Sequence, residues 1–104
     1  IYHFTWSCDD TGSENYHVNY GTSDSLYGPV RFEKTILQKD VQKGVLGTGH
    51  HSICKVPGKD AYWIAYHRFG TPLAQYPEGK GFHRETCVAP LEFDEAGKMM
   101  EVIV

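Results

Sequence analysis

The stretch Gly47-Thr48-Gly49-His50-His51-Ser52 places two adjacent histidines behind two glycines, between apolar Val45-Leu46 and apolar Ile53. Imidazole is a metal ligand and a proton carrier near neutral pH, and glycine lets backbones approach closely or take unusual dihedrals. The hexapeptide therefore reads either as a turn entering a strand or as a crowded polar centre. The other candidate metal ligands add little by spacing alone. No pair among His3, His17, His50, His51, His67 and His83 fixes a ligand geometry without the fold, and Cys8, Cys54 and Cys87 form neither a C-x-x-C pair nor a disulfide framework.

The elements that must position these groups are read from the rest of the chain. At 104 residues with a formal charge of -3, it is at most one small domain of globular composition. Lys and Arg are scattered, so a nucleic-acid partner is not expected. No apolar stretch approaches the roughly 20 residues of a membrane-spanning helix, and Ile1-Tyr2-His3-Phe4 is too short and polar for a signal sequence, so no membrane partner is expected either. Aromatic residues make up 13% of the chain, a content that suits strands and sugar-binding surfaces alike.

Period-two alternation starts at once, with Tyr2, Phe4 and Trp6 on one side and His3, Thr5 and Ser7 on the other. The pattern predicts seven antiparallel strands near 2–7, 16–22, 30–33, 51–56, 62–67, 82–88 and 98–102. No sustained 3.6-residue period appears, so helix is nearly absent. The strands also repeat: "YHFTWS" at 2–7 precedes "YWIAYH" at 62–67 by about 60 positions, and "NYHVNYGTSDS" at 15–25 aligns with "GFHRETCVAPL" at 81–91. Four-stranded antiparallel units at such an interval are the mark of propeller blades. The first copy has three strands and the second four, so the chain is expected to start inside a blade and to cover poorly the rows Tyr2-Phe4-Trp6 and Tyr62-Ile64-Tyr66.

The segments "DDTGSENYHVNYGTSDSLYGP" at 9–29, "GTGHHSI" at 47–53, "YHRF" at 66–69 and "HRETCVAPLEFDEAGKM" at 83–99 together resemble the C-terminal part of glycoside hydrolase family 43. The resemblance implies an all-β fold, a partial five-bladed β-propeller of about one and three-quarter blades of four-stranded antiparallel sheet. It makes residues 1–104 the C-terminal part of a catalytic domain, with 1–44 most of one blade and 45–104 the final blade. It also implies inverting cleavage of terminal arabinofuranosyl or xylosyl residues of plant polysaccharides or oligosaccharides.

By position in the family motif, His50 is expected to face the central channel and help hold a structural calcium ion. Because that ion prefers oxygen, waters would complete its shell. His51 is expected to point the other way and to pack or hydrogen-bond within the blade. Arg84 matches the family arginine that reaches substrate from the last blade, and a guanidinium is suited to fixing a hydroxylated ring. A strand-surface ion pair is the alternative role for it.

An inverting glycosidase needs a carboxylate base and a protonated carboxylic acid roughly 6.5–9.5 Å apart. The family's base, acid and third carboxylate all map before Ile1, so this chain is expected to carry no catalytic residue and to be inactive alone. Glu14, Glu85 and Glu92 are read as structural. The expected partners are a pentose-containing oligosaccharide or polysaccharide, and the remaining propeller blades, in the same chain or a separate one, or further copies of this chain. "HRET" favours an exo-acting xylosidase or arabinofuranosidase, while a noncatalytic carbohydrate-binding or assembly β-module is the competing reading. A periplasmic or extracellular location is expected, with the cytoplasm as the alternative.

Overall fold

A computed structural model of the chain describes residues 1–76 and 80–104. Six strands form two antiparallel sheets. The first contains β1 (Tyr2–Cys8), β2 (His17–Ser23) and β3 (Arg31–Leu37) in the order β1-β2-β3. The second contains β4 (Gly49–Lys55), β5 (Tyr62–Phe69) and β6 (Arg84–Leu91) in the order β4-β5-β6. Among the described residues the helical content is three single 3-10 turns, at Val41–Lys43, Leu73–Gln75 and Lys80–Phe82.

Local polar groups stop β1 and β2 where the alternation fails. After β1, the Asp10 carboxylate accepts from the Gly12 amide at 2.7 Å and the Ser13 hydroxyl from the Asn15 amide at 3.0 Å. After β2, Ser23 and Ser25 accept in the same manner from the amides of Ser25 and Tyr27. Such side-chain-to-backbone bonds satisfy the groups that a continuing ladder would have used.

The sheets pack face to face. Val18, Tyr20, Ile36 and Leu37 of the first meet Ile64, Tyr66, Ala89 and Leu91 of the second in one buried cluster. This corrects the expected exposure of the second aromatic row: Ile64 is fully buried and Tyr66 is 4% exposed. The row left open on the second sheet carries Trp63 and Val88 instead. The ladders also place Ser23 opposite Tyr2 and Leu91 opposite Tyr62, a two-residue slip from the repeat alignment, which equates Ser23 with Ala89.

The seventh strand is not formed. After β6 the chain reverses at Asp94, whose carboxylate accepts from the amides of Ala96 and Lys98, and it makes one isolated bridge, Phe93 to Met99. It then leaves the second sheet and reaches the first, where the Val102 amide donates to the Ile36 carbonyl at 2.7 Å. The physical reason is burial. Met99 and Val102 both enter the core while Met100 and Glu101 stay exposed, a spacing of three that a strand cannot provide. Bonds from Gln38 to Glu101 and from Lys43 to the Val104 carbonyl fasten the same tail to the end of the first sheet.

Candidate functional site

The glycines of the opening hexapeptide are where two aromatic rings come closest to the backbone. A Cβ on Gly49 would lie 2.3 Å from the Tyr16 ring, and one on Gly47 would lie 2.5 Å from the Phe69 ring. Gly47 also has φ +66°, a left-handed conformation that glycine takes without steric cost. The segment is held from both sides: the Gly47 amide donates to Glu14 and the Phe69 amide to Leu46, each at 2.9 Å. Val45, Leu46 and Thr48 are buried around it.

At Gly49 the chain enters β4, an edge strand, through a bulge. Gly49 pairs with His67 and Ser52 with Ala65, leaving His50 and His51 opposite a single residue, with His50 at φ +52°. The bulge sends the two imidazoles to different neighbours. His50 is exposed and stacks on His67 of its own sheet, ring centroids 5.0 Å apart. His51 reaches the first sheet, its Nε2 2.7 Å from the Thr5 hydroxyl, while its buried Nδ1 has no partner among the described residues. The His50 amide bonds the Ser7 hydroxyl at 3.2 Å, so both histidines tie β4 to β1.

Arg84 starts β6 at the same end of the sheets. Its guanidinium lies 5.0 Å from the Phe69 ring centre and 5.5 Å from that of Tyr16, the two rings that the glycines admit. Nη1 donates to the Gly47 carbonyl at 2.7 Å and lies 3.1 Å from His67 Nδ1, and Nε donates to the Gly81 carbonyl at 3.2 Å. Nη2 is buried and has no partner among the described residues. Arg84 and His50 thus belong to one constellation, joined through His67.

Burial sets the electrostatics here. It pushes the Arg84 pKa down, against the favourable pull of Tyr16, and the group stays charged. It also lowers the His67 pKa, with Arg84 and then His50 acting in the same direction. His51 is lowered by burial first and by His50 second. All three shifts follow from withholding water from a cation, reinforced at the histidines by positive neighbours.

The carboxylates are engaged elsewhere. Glu85 accepts from the Thr71 hydroxyl at 2.7 Å and from Arg68 Nε at 2.9 Å, bonds that hold its pKa low, with Thr71 the larger cause. Glu14 pairs with Lys39 at 3.2 Å. Glu92 lines a groove of about 720 Å³ with Tyr62, Trp63 and Phe93 at the opposite end of the second sheet, away from Arg84. Among the described residues no three His, Cys, Asp or Glu side chains gather as a metal-ligand set. Among the described residues His50 offers one imidazole, so a calcium ion held there would need oxygens from outside that set.

Sequence reasoning singled out His50 and Arg84 but missed Tyr16, Phe69 and His67 as their neighbours. A signal for His67 exists in the ladder. It pairs with Thr86, which makes Arg84 its diagonal neighbour on the same face.

The model of glycosyl hydrolases family 43 matches residues 1–99. The chain belongs to that family. It is 36% identical over 103 residues to a β-D-galactofuranosidase from Aspergillus niger, covering 98% of this chain and 28% of that protein. It is 31% identical over 102 residues to a xylosidase/arabinosidase from Bacteroides ovatus, covering 97% of this chain and 26% of the relative. The crystal structure of a thermostable family-43 glycoside hydrolase superposes with a TM-score of 0.81 at 26% identity, over 99% of this chain and 31% of the other. The family 43 chain thus spans about a quarter of the length of these curated relatives, and its two sheets are part of a β-propeller.

Proposed function

We propose that this chain supplies the sugar-positioning arginine of an exo-acting, inverting family 43 glycosidase that removes terminal arabinofuranosyl or xylosyl residues from plant polysaccharides or oligosaccharides. The observation that carries the reading is the state of the Arg84 fork. Three of its N–H groups are committed within the chain, and the two on Nη2 are left over. A buried charged donor without a partner costs on the order of 1–3 kcal/mol, so a hydroxyl or carboxylate delivered to that point is strongly favoured. The names of the relatives add a further furanoside, the galactofuranosyl group, to the sugars worth testing.

In this reading the acid that protonates the leaving oxygen and the base that activates water come from outside residues 1–104, and Arg84 fixes the ring between them. Kinetics of the full-length protein on 4-nitrophenyl α-L-arabinofuranoside, β-D-xyloside and β-D-galactofuranoside test it. At least one should be hydrolysed with inversion, seen by NMR of the first-formed sugar. Arg84→Met should lower kcat/KM by roughly 10- to 100-fold, the worth of a lost charge-assisted hydrogen bond. Unchanged kcat/KM in a folded variant would remove Arg84 from the site, and turnover by the 104-residue chain alone would overturn the placement of the acid and base.

A further inference from the structure

We propose that His67 is a positioning residue for Arg84, its Nδ1 lone pair taking one of the two Nη1 hydrogens and thereby fixing the plane of the guanidinium fork. The inference rests on the reading of Arg84 as the residue that holds the sugar. A planar fork bound at two points can pivot about the line joining them. With Nε on the Gly81 carbonyl and Nη1 on the Gly47 carbonyl, that pivot would swing Nη2, the atom left for a ligand. The third contact, 3.1 Å from Nη1 to His67 Nδ1, stops it.

The imidazole suits the task because it is itself held. Its ring stacks on His50 at 5.0 Å and 24° and on Tyr16 at 6.4 Å and 25°, and its backbone is locked in the ladder opposite Thr86. Arginine has no acceptor, so the shared hydrogen belongs to Nη1 and Nδ1 accepts it, which puts the ring's own proton on Nε2. Tyr16 therefore touches both partners, as a face for the guanidinium and as a stacking surface for the imidazole. A displacement of about 1 Å in a positioning group can cost up to about 100-fold in rate, so a contact that prevents a swing matters even where it adds little to stability.

Two substitutions separate acceptor from ring in the full-length protein. His67→Phe keeps a stacking ring and removes the acceptor, whereas His67→Asn removes the ring and keeps an acceptor near the place of Nδ1. The expected result is a loss of about tenfold in kcat/KM for His67→Phe on whichever of the three nitrophenyl glycosides is hydrolysed, with His67→Asn within about threefold of the parent. In an Arg84→Met background, His67→Phe should have no further effect. The reverse order, Phe active and Asn impaired, would make His67 a packing residue and overturn the proposal, as would equal losses in the single variants or an undiminished loss in the Arg84→Met background. If His67→Phe does not fold, His67→Asn against His67→Gln decides, since the Gln acceptor reaches the place of Nε2 instead. Asn active and Gln impaired supports the contact, and equal activity overturns it. A silent Arg84→Met with an impaired His67→Phe would instead sink the reading of Arg84.

Discussion

β1 and β5 are matched by the sequence repeat, one as an edge strand and the other as the central strand of its sheet, and they turn opposite faces toward the shared interface. From β1 the polar residues His3, Thr5 and Ser7 reach the second sheet or the shared interface: His3 packs its ring against Phe93, Thr5 meets His51, and Ser7 accepts from the His50 amide. From β5 the residues that look inward are apolar, Ile64 and Tyr66. Trp6 is 37% exposed and Tyr66 is 4% exposed. The difference teaches that a blade has two inner faces, one for each neighbour, and that the neighbour present decides which is buried. It also explains where the chemistry sits. The interface is hydrogen-bonded along β1 and β4 and apolar along β2, β3, β5 and β6, and His3, His50 and His51 lie on the polar side.

The largest test of this comparison is truncation of matched positions. Ile64→Ala should destabilise the protein by about 2–5 kcal/mol, as for other fully buried aliphatic side chains. Trp6→Ala, on the face without a neighbour among the described residues, should cost about 1 kcal/mol in the 104-residue chain, near the centre of the range for point substitutions and below that for emptying a core site. In the full-length protein an adjoining blade would raise the cost of Trp6→Ala toward that of Ile64→Ala. Urea unfolding of both variants in both contexts decides the matter. Equal costs in the 104-residue chain would break the comparison, and equal costs in the full-length protein alone would sharpen it.

The same two-faced packing marks what could be read from the sequence. Alternation, turn residues and the internal repeat together located six strands, although β3 and β6 run on to Leu37 and Leu91, past the expected ends at 33 and 88. They could not say which face was covered, so Tyr62-Ile64-Tyr66 read as open when Ile64 and Tyr66 are the centre of the core. The 98–102 strand failed for a related reason: Met99 and Val102 answer to two different sheets, and a local pattern has no term for a segment that serves both. At the site, His50 and Arg84 were legible through the family motifs. His67, Tyr16 and Phe69 were not, since their contacts cross strands and the bulge at His50 breaks the alternation that would have aimed the neighbouring side chains.

A smaller effect probes the polar side of the interface by pH. His51 has its pKa lowered by burial first and by His50 second, while the unfolded chain titrates near 6.5. Below about pH 6.5 the unfolded chain therefore takes up a proton that the folded one resists. The stability contributed by the neutral imidazole is complete above that value and is lost as pH falls toward the lower folded pKa. His51→Gln keeps a hydrogen-bonding group within reach of Thr5 and does not titrate. It should make Tm less steep between pH 6.5 and pH 5 while leaving its behaviour above pH 7 the same. His3 and His67 are lowered as well, so the slope should shrink without vanishing. An identical slope in the variant would mean that His51 does not report on the contact between β4 and β1.

The smallest effect compares an ion pair that crosses the sheets with one that stays inside a sheet. Lys98, in the tail after β6, reaches both oxygens of Glu33 on β3, with Oε1 at 3.1 Å, and the Glu33 side chain is 13% exposed. Arg31 and Asp24 are 3.5 Å apart with side chains 55% and 82% exposed. Exposed pairs contribute about 0.2–1 kcal/mol, and the lower end applies when both partners are wet and free to move. The crossing pair has one partner largely removed from water, so taking away Lys98 leaves a carboxylate that the solvent compensates poorly. Lys98→Met should therefore cost about 1 kcal/mol and Arg31→Met close to nothing. A Lys98→Met/Glu33→Gln double-mutant cycle should return a coupling that persists in 0.5 M salt, because a partly buried pair is screened less than an exposed one. If the two single variants cost the same, or if the coupling disappears in salt, Lys98 does not fasten the tail across the sheets, and the apolar contacts of Met99 and Val102 hold it there by themselves.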